Sequence, residues 1–161
     1  MKIVVFSDSH GNSDSVSAIF RKENDADAFI FLGDGTDDLR MAQKQHLISQ
    51  PLLVVRGNCD RNLRIPPEQL SGFEDKLLFF THGNGYEVKW TLEGLKQAAK
   101  QRDAEIVLFG HTHVPYLEKD NGIYYFNPGS VALPRRGKAT YGVLTLNKNK
   151  VPQFTHKEVF E

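Results

Sequence analysis

Two histidines separated by one threonine, His111 and His113, follow directly on the apolar run Ile106–Phe109 and Gly110. Neutral imidazole is the commonest protein ligand for metals, and a glycine-released turn can aim two rings at one point. A lone H-x-H pair is weak evidence, equally compatible with two polar turn residues. The same grammar recurs along the chain, however. Ile3–Phe6 runs into Asp8 and His10, Phe29–Leu32 into Asp34, Leu52–Val55 into Asn58, and Leu77–Phe80 into His82. In open α/β sheets, ligands bind beyond the carboxyl ends of the strands. If these runs are parallel strands, Asp8, His10, Asp34, Asn58, His82, His111 and His113 converge on one edge, with Asp60 as an eighth candidate. Four of the six histidines belong to this set.

Such a set exceeds the four ligands of one tetrahedral metal and suits two ions with room for water. Paired ions stand about 3.5–4 Å apart, bridged by a carboxylate and a hydroxide. Asp34 is the candidate bridge, because it stands alone after its strand and offers an oxygen to each ion. An oxygen-rich donor set with imidazoles favours Mn, Fe, Co, Ni or Zn over a structural zinc site. The chemistry that follows is attack of a metal-bound hydroxide on a phosphorus ester, with no covalent enzyme intermediate.

The elements that must position these residues are legible in outline. Ser13–Glu23 carries Val16, Ile19 and Phe20 at helical spacing, with Asn12 or Ser13 as cap. Asp37–Ile48 and Trp90–Arg102 read as two further helices, with Asp37 and Asp38 as a cap of the former rather than direct participants. His46 falls inside that helix and reads as a surface residue. Ile65-Pro66-Pro67 marks an irregular connection. Strand and helix alternate through Phe109, which predicts βαβ units and parallel pairing. Beyond it, Val114–Lys119 and Ile123–Phe126 flank Asn121-Gly122, and Tyr141–Leu146 and Val151–Phe160 flank another polar turn, so the last third reads as antiparallel β. A parallel half and an antiparallel half suggest two sheets packed face to face with helices outside.

Residues 1–161 read as a single domain. Twenty basic and twenty acidic residues cancel, which argues against a general nucleic-acid or membrane-surface protein. One cysteine, Cys59, excludes an internal disulfide and suits a reducing cytosol. No apolar run is long enough for a signal-peptide core or a membrane span. A cytoplasmic protein is expected.

The ordered motifs Asp8-Ser9-His10, Gly33-Asp34, Gly57-Asn58, His82-Gly83 and Gly110-His111-Thr112-His113 resemble those of the calcineurin-like metallophosphoesterase superfamily. The short length, Gly57-Asn58-Cys59-Asp60 and Asn127-Pro128-Gly129-Ser130 look most like its small YfcE-like phosphodiesterase branch. The resemblance implies a four-layer α/β/β/α sandwich of two mixed sheets. It also implies that Asp8, His10 and His113 hold one ion, that Asn58, His82 and His111 hold the other, and that Asp34 bridges. Asp34, Asn58 and His82 are the expected catalytic residues, acting with the metal-bound hydroxide. Two divalent ions are expected, manganese first, with Ni, Co, Fe or Zn as alternatives. Family members often form oligomers, so a homo-oligomer is an open expectation.

Larger members of the superfamily carry a histidine where Cys59 stands, thought to steer phosphate or protonate the leaving group. A neutral thiol does neither well, so efficient turnover is expected only for good leaving groups unless Asp60 or a water substitutes. Cys59 is a poor nucleophile candidate, because a cysteine phosphatase needs C-x5-R and Ile65 stands at that position. Asn127-Pro128-Gly129-Ser130 reads as a turn that the resemblance brings near the metals. Arg56, Arg135 and Arg136 could reach a substrate phosphate, the last two otherwise forming a solvated loop. Gly83 and Gly85 serve backbone geometry, and His156 needs no function. The leading expectation is a metal-dependent phosphodiesterase with a small phosphodiester substrate. Its rivals are a phosphomonoesterase and a non-catalytic protein-binding scaffold, the role of the superfamily's retromer subunit.

Overall fold

The apolar runs are continuous because the strands are covered on both faces. In β1 (Lys2–Phe6), Ile3 and Val5 join one buried cluster while Val4 and Phe6 join another. In β2 (Ala28–Phe31), Ala28 and Ile30 share the first cluster and Phe29 and Phe31 the second. The alternation repeats in β5 (Lys76–Thr81) and β6 (Ile106–Phe109). There Leu78, Phe80, Ile106 and Leu108 join the first cluster, and Phe79, Val107 and Phe109 a third. The first cluster lies between two sheets, and the other two lie under helices. The layers are therefore α/β/β/α.

The computed structural model describes residues 1–160. One sheet has the order β10-β9-β1-β2-β3, with β3 at Leu52–Val54, β9 at Thr140–Thr145 and β10 at Gln153–Glu158. β1, β2 and β3 pair parallel, and β9 pairs antiparallel with both β1 and β10. The other has the order β4-β5-β6-β8-β7, with β4 at Glu68–Phe73, β7 at Pro115–Asp120 and β8 at Ile123–Pro128. β5, β6 and β8 pair parallel, flanked by antiparallel β4 and β7.

The two sheets are thus not the two halves of the chain. The C-terminal pair β9–β10 completes the N-terminal sheet. Ile3 pairs with Leu144 there, and β9 puts Leu144 into the intersheet cluster and Val143 into the outer one. β4 escapes sequence reading because it is an edge strand whose side chains are mostly half-exposed. Its partner β5 supplies the apolar content.

Helix α1 (Ser13–Lys22) begins where Asn12 Oδ1 accepts the Ser15 amide at 3.0 Å, and it buries Val16, Ile19 and Phe20 over the first sheet. Each such side chain contributes roughly 1.5–3 kcal/mol of burial. The second helix is shorter than its periodicity suggests. A 3-10 turn at Thr36–Asp38 leads into α2 (Leu39–Lys44), with Met41 exposed and His46 beyond the helix at φ +53°. α3 spans Glu93–Gln101 and covers the second sheet with Leu95, Ala98 and Ala99, leaving Trp90 outside it. Among the described residues no helix is long and apolar enough to cross a membrane.

Candidate metal centre

The carboxyl ends of β1, β2, β3, β5 and β6 open into loops that meet between the sheets. Five of the seven candidate ligands hold left-handed backbone: Asp8 (φ +60°), His10 (+43°), Asp34 (+59°), His111 (+66°) and His113 (+58°). That conformation disfavours L-residues by roughly 1–2 kcal/mol each, although Asp and His tolerate it better than most. It persists only where surrounding structure over-determines it. Here the Asp8 amide donates to Gly33 O at 3.0 Å, the His10 amide to Asp34 O at 3.1 Å and the His111 amide to Asp8 Oδ2 at 3.1 Å. The carboxylates need glycines beside them. A Cβ on Gly57 would strike Asp34 Oδ1, and one on Gly110 would strike Ser7 Oγ and lie 2.9 Å from Asp8 Oδ2.

Two groups of donors face one another across the cleft. Asp8, His10 and His113 gather on one side and Asp34, His82 and His111 on the other, with the ligand atoms of each group within 4.8 Å of one another. His10 Nε2 lies 3.7 Å from both Asp8 Oδ1 and Asp34 Oδ2, so the groups are contiguous. His113 Nε2 stands 3.1 Å from Asp8 Oδ1, and His82 Nε2 stands 3.2 Å from Asp34 Oδ2. Asn58 is on the β3 loop but exposed, with Nδ2 turned to Cys59 Sγ at 3.5 Å. Cys59 itself comes within the same reach of His10 and Asp34.

Burial would raise the Asp8 carboxyl, but the facing imidazoles of His10 and His113, with His82 and Ser7, hold it far below the usual range. Asp34 is lowered in the same way, burial being outweighed by His82 and the Cys59 amide. His10 is raised by Asp8. In His82 burial pulls downward, and Asp34 and Asp8 more than reverse it. His111 is pushed down to about 4 by burial and by the positive charges of His82 and Lys89. The Cys59 thiol is raised by burial and by the negative charge of Asp34.

A metal fits this arrangement on the evidence of its unsatisfied atoms. Asp8 Oδ1 is buried and accepts no hydrogen bond among the described residues, a cost of roughly 1–3 kcal/mol or more for a charged group. Imidazole nitrogens meet face to face at 3.2 Å in two places, His10 Nε2 with His113 Nε2 and His82 Nε2 with His111 Nδ1. The far ring nitrogens of His82 and His113 are set by backbone acceptors, Leu32 O and Leu133 O, each at 2.7 Å. A backbone acceptor on the outer nitrogen fixes the tautomer that turns a lone pair inward, the usual support of a metal-binding histidine.

Residues that sequence reasoning undervalued brace these loops. Asp60 accepts five hydrogen bonds. Its Oδ2 takes the Asp34 and Gly57 amides at 2.8 and 2.7 Å, and its Oδ1 takes the Gly35 and Thr36 amides and Thr36 Oγ1 at 2.9, 2.8 and 3.0 Å. Both oxygens of Asp60 are thus committed to the loops that carry Asp34 and Asn58. Asp38 stands at the N-cap position of α2, but its side chain is spent elsewhere: its Oδ2 accepts Ser9 Oγ at 2.5 Å and the Gly11 amide at 2.9 Å. Ser130 Oγ donates to Asp8 O at 2.8 Å and accepts the Leu133 amide at 2.8 Å. Asn127 Nδ2 donates to Gly110 O at 2.9 Å and Thr112 Oγ1 at 3.0 Å. The Asn127–Ser130 turn therefore clamps the loops of β1 and β6.

The cations are also redistributed. Arg56 spends its guanidinium on Leu63 O and Ile65 O at 3.3 and 2.7 Å, so it closes its own loop rather than facing the cleft. Arg135 is tied by its amide to His113 O at 3.1 Å. Arg61, not singled out from sequence, lines the cleft with His10, Asp34, Cys59 and Asp60. His156 packs on Phe126 and bonds Asn127 O at 2.7 Å, away from the cluster.

Residues 1–149 match the calcineurin-like phosphoesterase superfamily domain. The chain is 32% identical over 151 residues to the probable metallophosphoesterase YsnB of Bacillus subtilis, spanning 92% of this chain and 86% of that protein. It is 29% identical over 167 residues to the phosphodiesterase YfcE of Escherichia coli, spanning 89% and 87%. The solved YfcE structure superposes with a TM-score of 0.66 at 28% identity, over 90% of this chain and 88% of that one. Zinc-bound Vps29 from Entamoeba histolytica superposes with a TM-score of 0.73 over 99% of both chains at 16% identity, a likeness of fold alone.

Proposed function

Because the chain belongs to the calcineurin-like phosphoesterase superfamily, we propose that it is a metal-dependent phosphodiesterase working through a dinuclear centre. The observation that carries this reading is the contiguity of two donor groups, Asp8–His10–His113 and Asp34–His82–His111, in one cleft. One ion would be held by Asp8, His10 and His113 and the other by Asn58, His82 and His111, with Asp34 able to serve both. Bound divalent ions supply Lewis acidity, lowering the pKa of water from about 15.7 toward about 7 and neutralising phosphoryl charge. Manganese is the first choice, and Ni, Co, Fe and Zn suit the same donors.

The chain's own residues do the rest. Leu32 O and Leu133 O hold the rings of His82 and His113 with their inner nitrogens presented. The Cys59 amide holds Asp34 Oδ1 at 2.8 Å, leaving Oδ2 toward His10 and His82. Arg61 on the wall of the cleft suits a phosphate oxygen. Water attacks phosphorus in line with the departing oxygen, that P–O bond breaks, and no side chain becomes covalently attached. The substrate is a small phosphodiester, and a single cysteine fits action in the cytoplasm.

The Cys59 thiol, with its pKa raised, keeps its proton and is a weak acid, so it gives little help to a departing oxygen. Rates should therefore fall steeply as leaving-group pKa rises. A shallow dependence across a series of aryl and alkyl diesters would contradict this role for Cys59.

The test of the reading is hydrolysis of bis(p-nitrophenyl) phosphate by chelator-stripped protein, with Mn²⁺ restored and Asp34→Asn alongside. Turnover restored in the parent and not in the variant is expected. Absence of turnover with Mn²⁺, Ni²⁺, Co²⁺ and Zn²⁺ would favour a non-catalytic scaffold on the same fold. A monoester preferred over the diester would make it a phosphomonoesterase.

A further inference from the structure

α2, β3 and the loop after β3 enclose a cavity of about 430 Å³ that the metal centre does not use. Its apolar wall is Leu39, Ile48, Leu52, Val54 and Ile65. β3 is an edge strand, so Leu52 and Val54 stay only half-buried against the outer cluster. The far wall is held open by Arg56, whose Nη1 donates to Leu63 O at 3.3 Å and Ile65 O at 2.7 Å and whose amide donates to Pro66 O at 2.9 Å. Two exposed carboxamides also line the cavity. Asn62 Oδ1 accepts the Arg64 amide at 3.1 Å and leaves its Nδ2 uncommitted, and the Gln43 side chain has no hydrogen bond among the described residues.

This cavity adjoins the metal cleft at two places on the chain. Gly35 and Arg61 line the cleft, their neighbours Thr36 and Asn62 line the cavity, and Asp37 lines both. Asp34 is two residues from Thr36, which keeps their Cα atoms within about 7.6 Å. The carboxylates at the junction already have partners: Asp37 pairs with Arg40 at 3.2 Å, Asp38 accepts Ser9 Oγ, and Asp60 holds the Asp34 loop. Arg61 has no hydrogen bond or ion pair among the described residues, so its guanidinium is open to a substrate.

Ligand sites pair apolar walls with a few placed polar groups. A planar heteroaromatic ring offers apolar faces to the aliphatic wall and polar edges to the carboxamides. A hydrocarbon would leave those amides without a partner, and a glycerol unit would leave the apolar wall uncovered. We propose that this cavity is the subsite for the base of a nucleoside phosphodiester, with Arg61 at the junction holding a phosphate oxygen and the scissile phosphorus at the candidate metal centre. The inference rests on the phosphodiesterase reading and narrows its substrate to diesters bearing a planar base, against glycerol-type diesters.

Ile48 and Ile65 place a methyl reporter at two points of the wall. The experiment follows isotope-labelled isoleucine methyl groups by NMR while Zn²⁺-loaded protein is titrated with adenosine 5′-monophosphate, with glycerol 3-phosphate as control. Saturable movement of the Ile48 and Ile65 signals by the nucleotide, and none by glycerol 3-phosphate, is expected. In calorimetry the nucleotide should bind at least about tenfold more tightly than glycerol 3-phosphate. Gln43→Trp, which plugs the cavity from an exposed position of α2, should abolish that advantage and leave glycerol 3-phosphate affinity unchanged. Asn62→Ala should reduce the advantage severalfold. Nucleotide binding that leaves both isoleucine signals still, or that Gln43→Trp does not weaken, would overturn the subsite. Phenyl phosphate bound as tightly as the nucleotide would overturn its assignment to a base. Because these readouts measure binding, a nucleotide seated in the cavity of a protein that hydrolyses no diester would sink the enzymatic reading and keep the subsite. Hydrolysis of bis(p-nitrophenyl) phosphate with both isoleucine signals unmoved by nucleotide would do the reverse.

Discussion

Glu23 and Asp8 are both removed from water, and their surroundings are opposite. Glu23, 1% exposed at the end of α1, is answered by full positive charges. Its Oε1 accepts Tyr141 at 2.5 Å and Lys157 Nζ at 2.8 Å, and its Oε2 stands 2.7 Å from Lys2 Nζ. Burial would raise this carboxyl, but Lys157, Lys2 and Tyr141 bring it down to about 2. Asp8, fully buried, has its Oδ2 taken by Ser7 Oγ at 2.6 Å and by the His111 amide at 3.1 Å, while its Oδ1 faces the imidazoles of His10, His82 and His113 and accepts no hydrogen bond among the described residues. A buried charge is tolerated when it is paired and hydrogen-bonded, and is costly otherwise. Glu23 is thus a finished structural clamp, whereas Asp8 keeps one oxygen without a donor among imidazoles, an arrangement that suits a bound cation. Burial alone distinguishes nothing here; the kind of partner does.

The sharpest way to break this contrast is to neutralise each carboxylate in turn. Asp8→Asn should lower metal-dependent diester hydrolysis by roughly 10²–10³-fold. In the metal-free protein its effect on the melting temperature should be smaller than that of Glu23→Gln, because no ammonium answers Asp8. A loss of metal-free stability as large as that of Glu23→Gln would show that Asp8 is structural after all.

Glu23→Gln should behave inversely, destabilising the fold by about 3 kcal/mol in urea titration with the rate per folded molecule unchanged. The same group sets a pH signature. Its folded pKa of about 2 lies below the ordinary 4.5, so its stabilisation is present above about 4.5 and is lost as pH falls toward 2. At about 1.4 kcal/mol per pKa unit this is again about 3 kcal/mol. In Glu23→Gln that acid-induced loss should flatten, and an unchanged stability profile between pH 5 and pH 2 would refute the assignment.

A smaller effect sharpens the comparison within the site. Asp60 touches no ion in the proposed centre, yet it ties the Asp34 loop to the Asn58 loop through four hydrogen bonds and takes a fifth from Gly57 within its own loop. Asp60→Asn should weaken metal affinity by about 10–100-fold, as loss of a supporting shell does. Excess Mn²⁺ should then recover most of the rate. Failure of excess metal to rescue would assign Asp60 a part in the reaction itself.

The amino-acid sequence alone determined where the strands end and which side chains stand there. An apolar run covered on both faces has a local signature, and the first polar Asp, His or Asn after it is carried to the sheet edge whatever the rest of the chain does. Hence the gathering of Asp8, His10, Asp34, His82, His111 and His113 is legible in the sequence, as are α1 with its Asn12 cap and the turn at Asn121-Gly122. Only the tertiary structure decided which sheet each strand joined, since β9 and β10 return across most of the chain to pair beside β1. It also decided the roles of Asp38, Asp60, Asn127 and Ser130. Asp38, Asn127 and Ser130 read locally as a cap and a turn, and Asp60 as a further candidate in the cluster, whereas their partners lie on other loops, as when Ser130 reaches back to Asp8 O. The same reason turned Arg56 inward and left Trp90 in solvent. Periodicity encodes which face is covered. A hydrogen bond between distant loops is encoded only in the packing that brings them together.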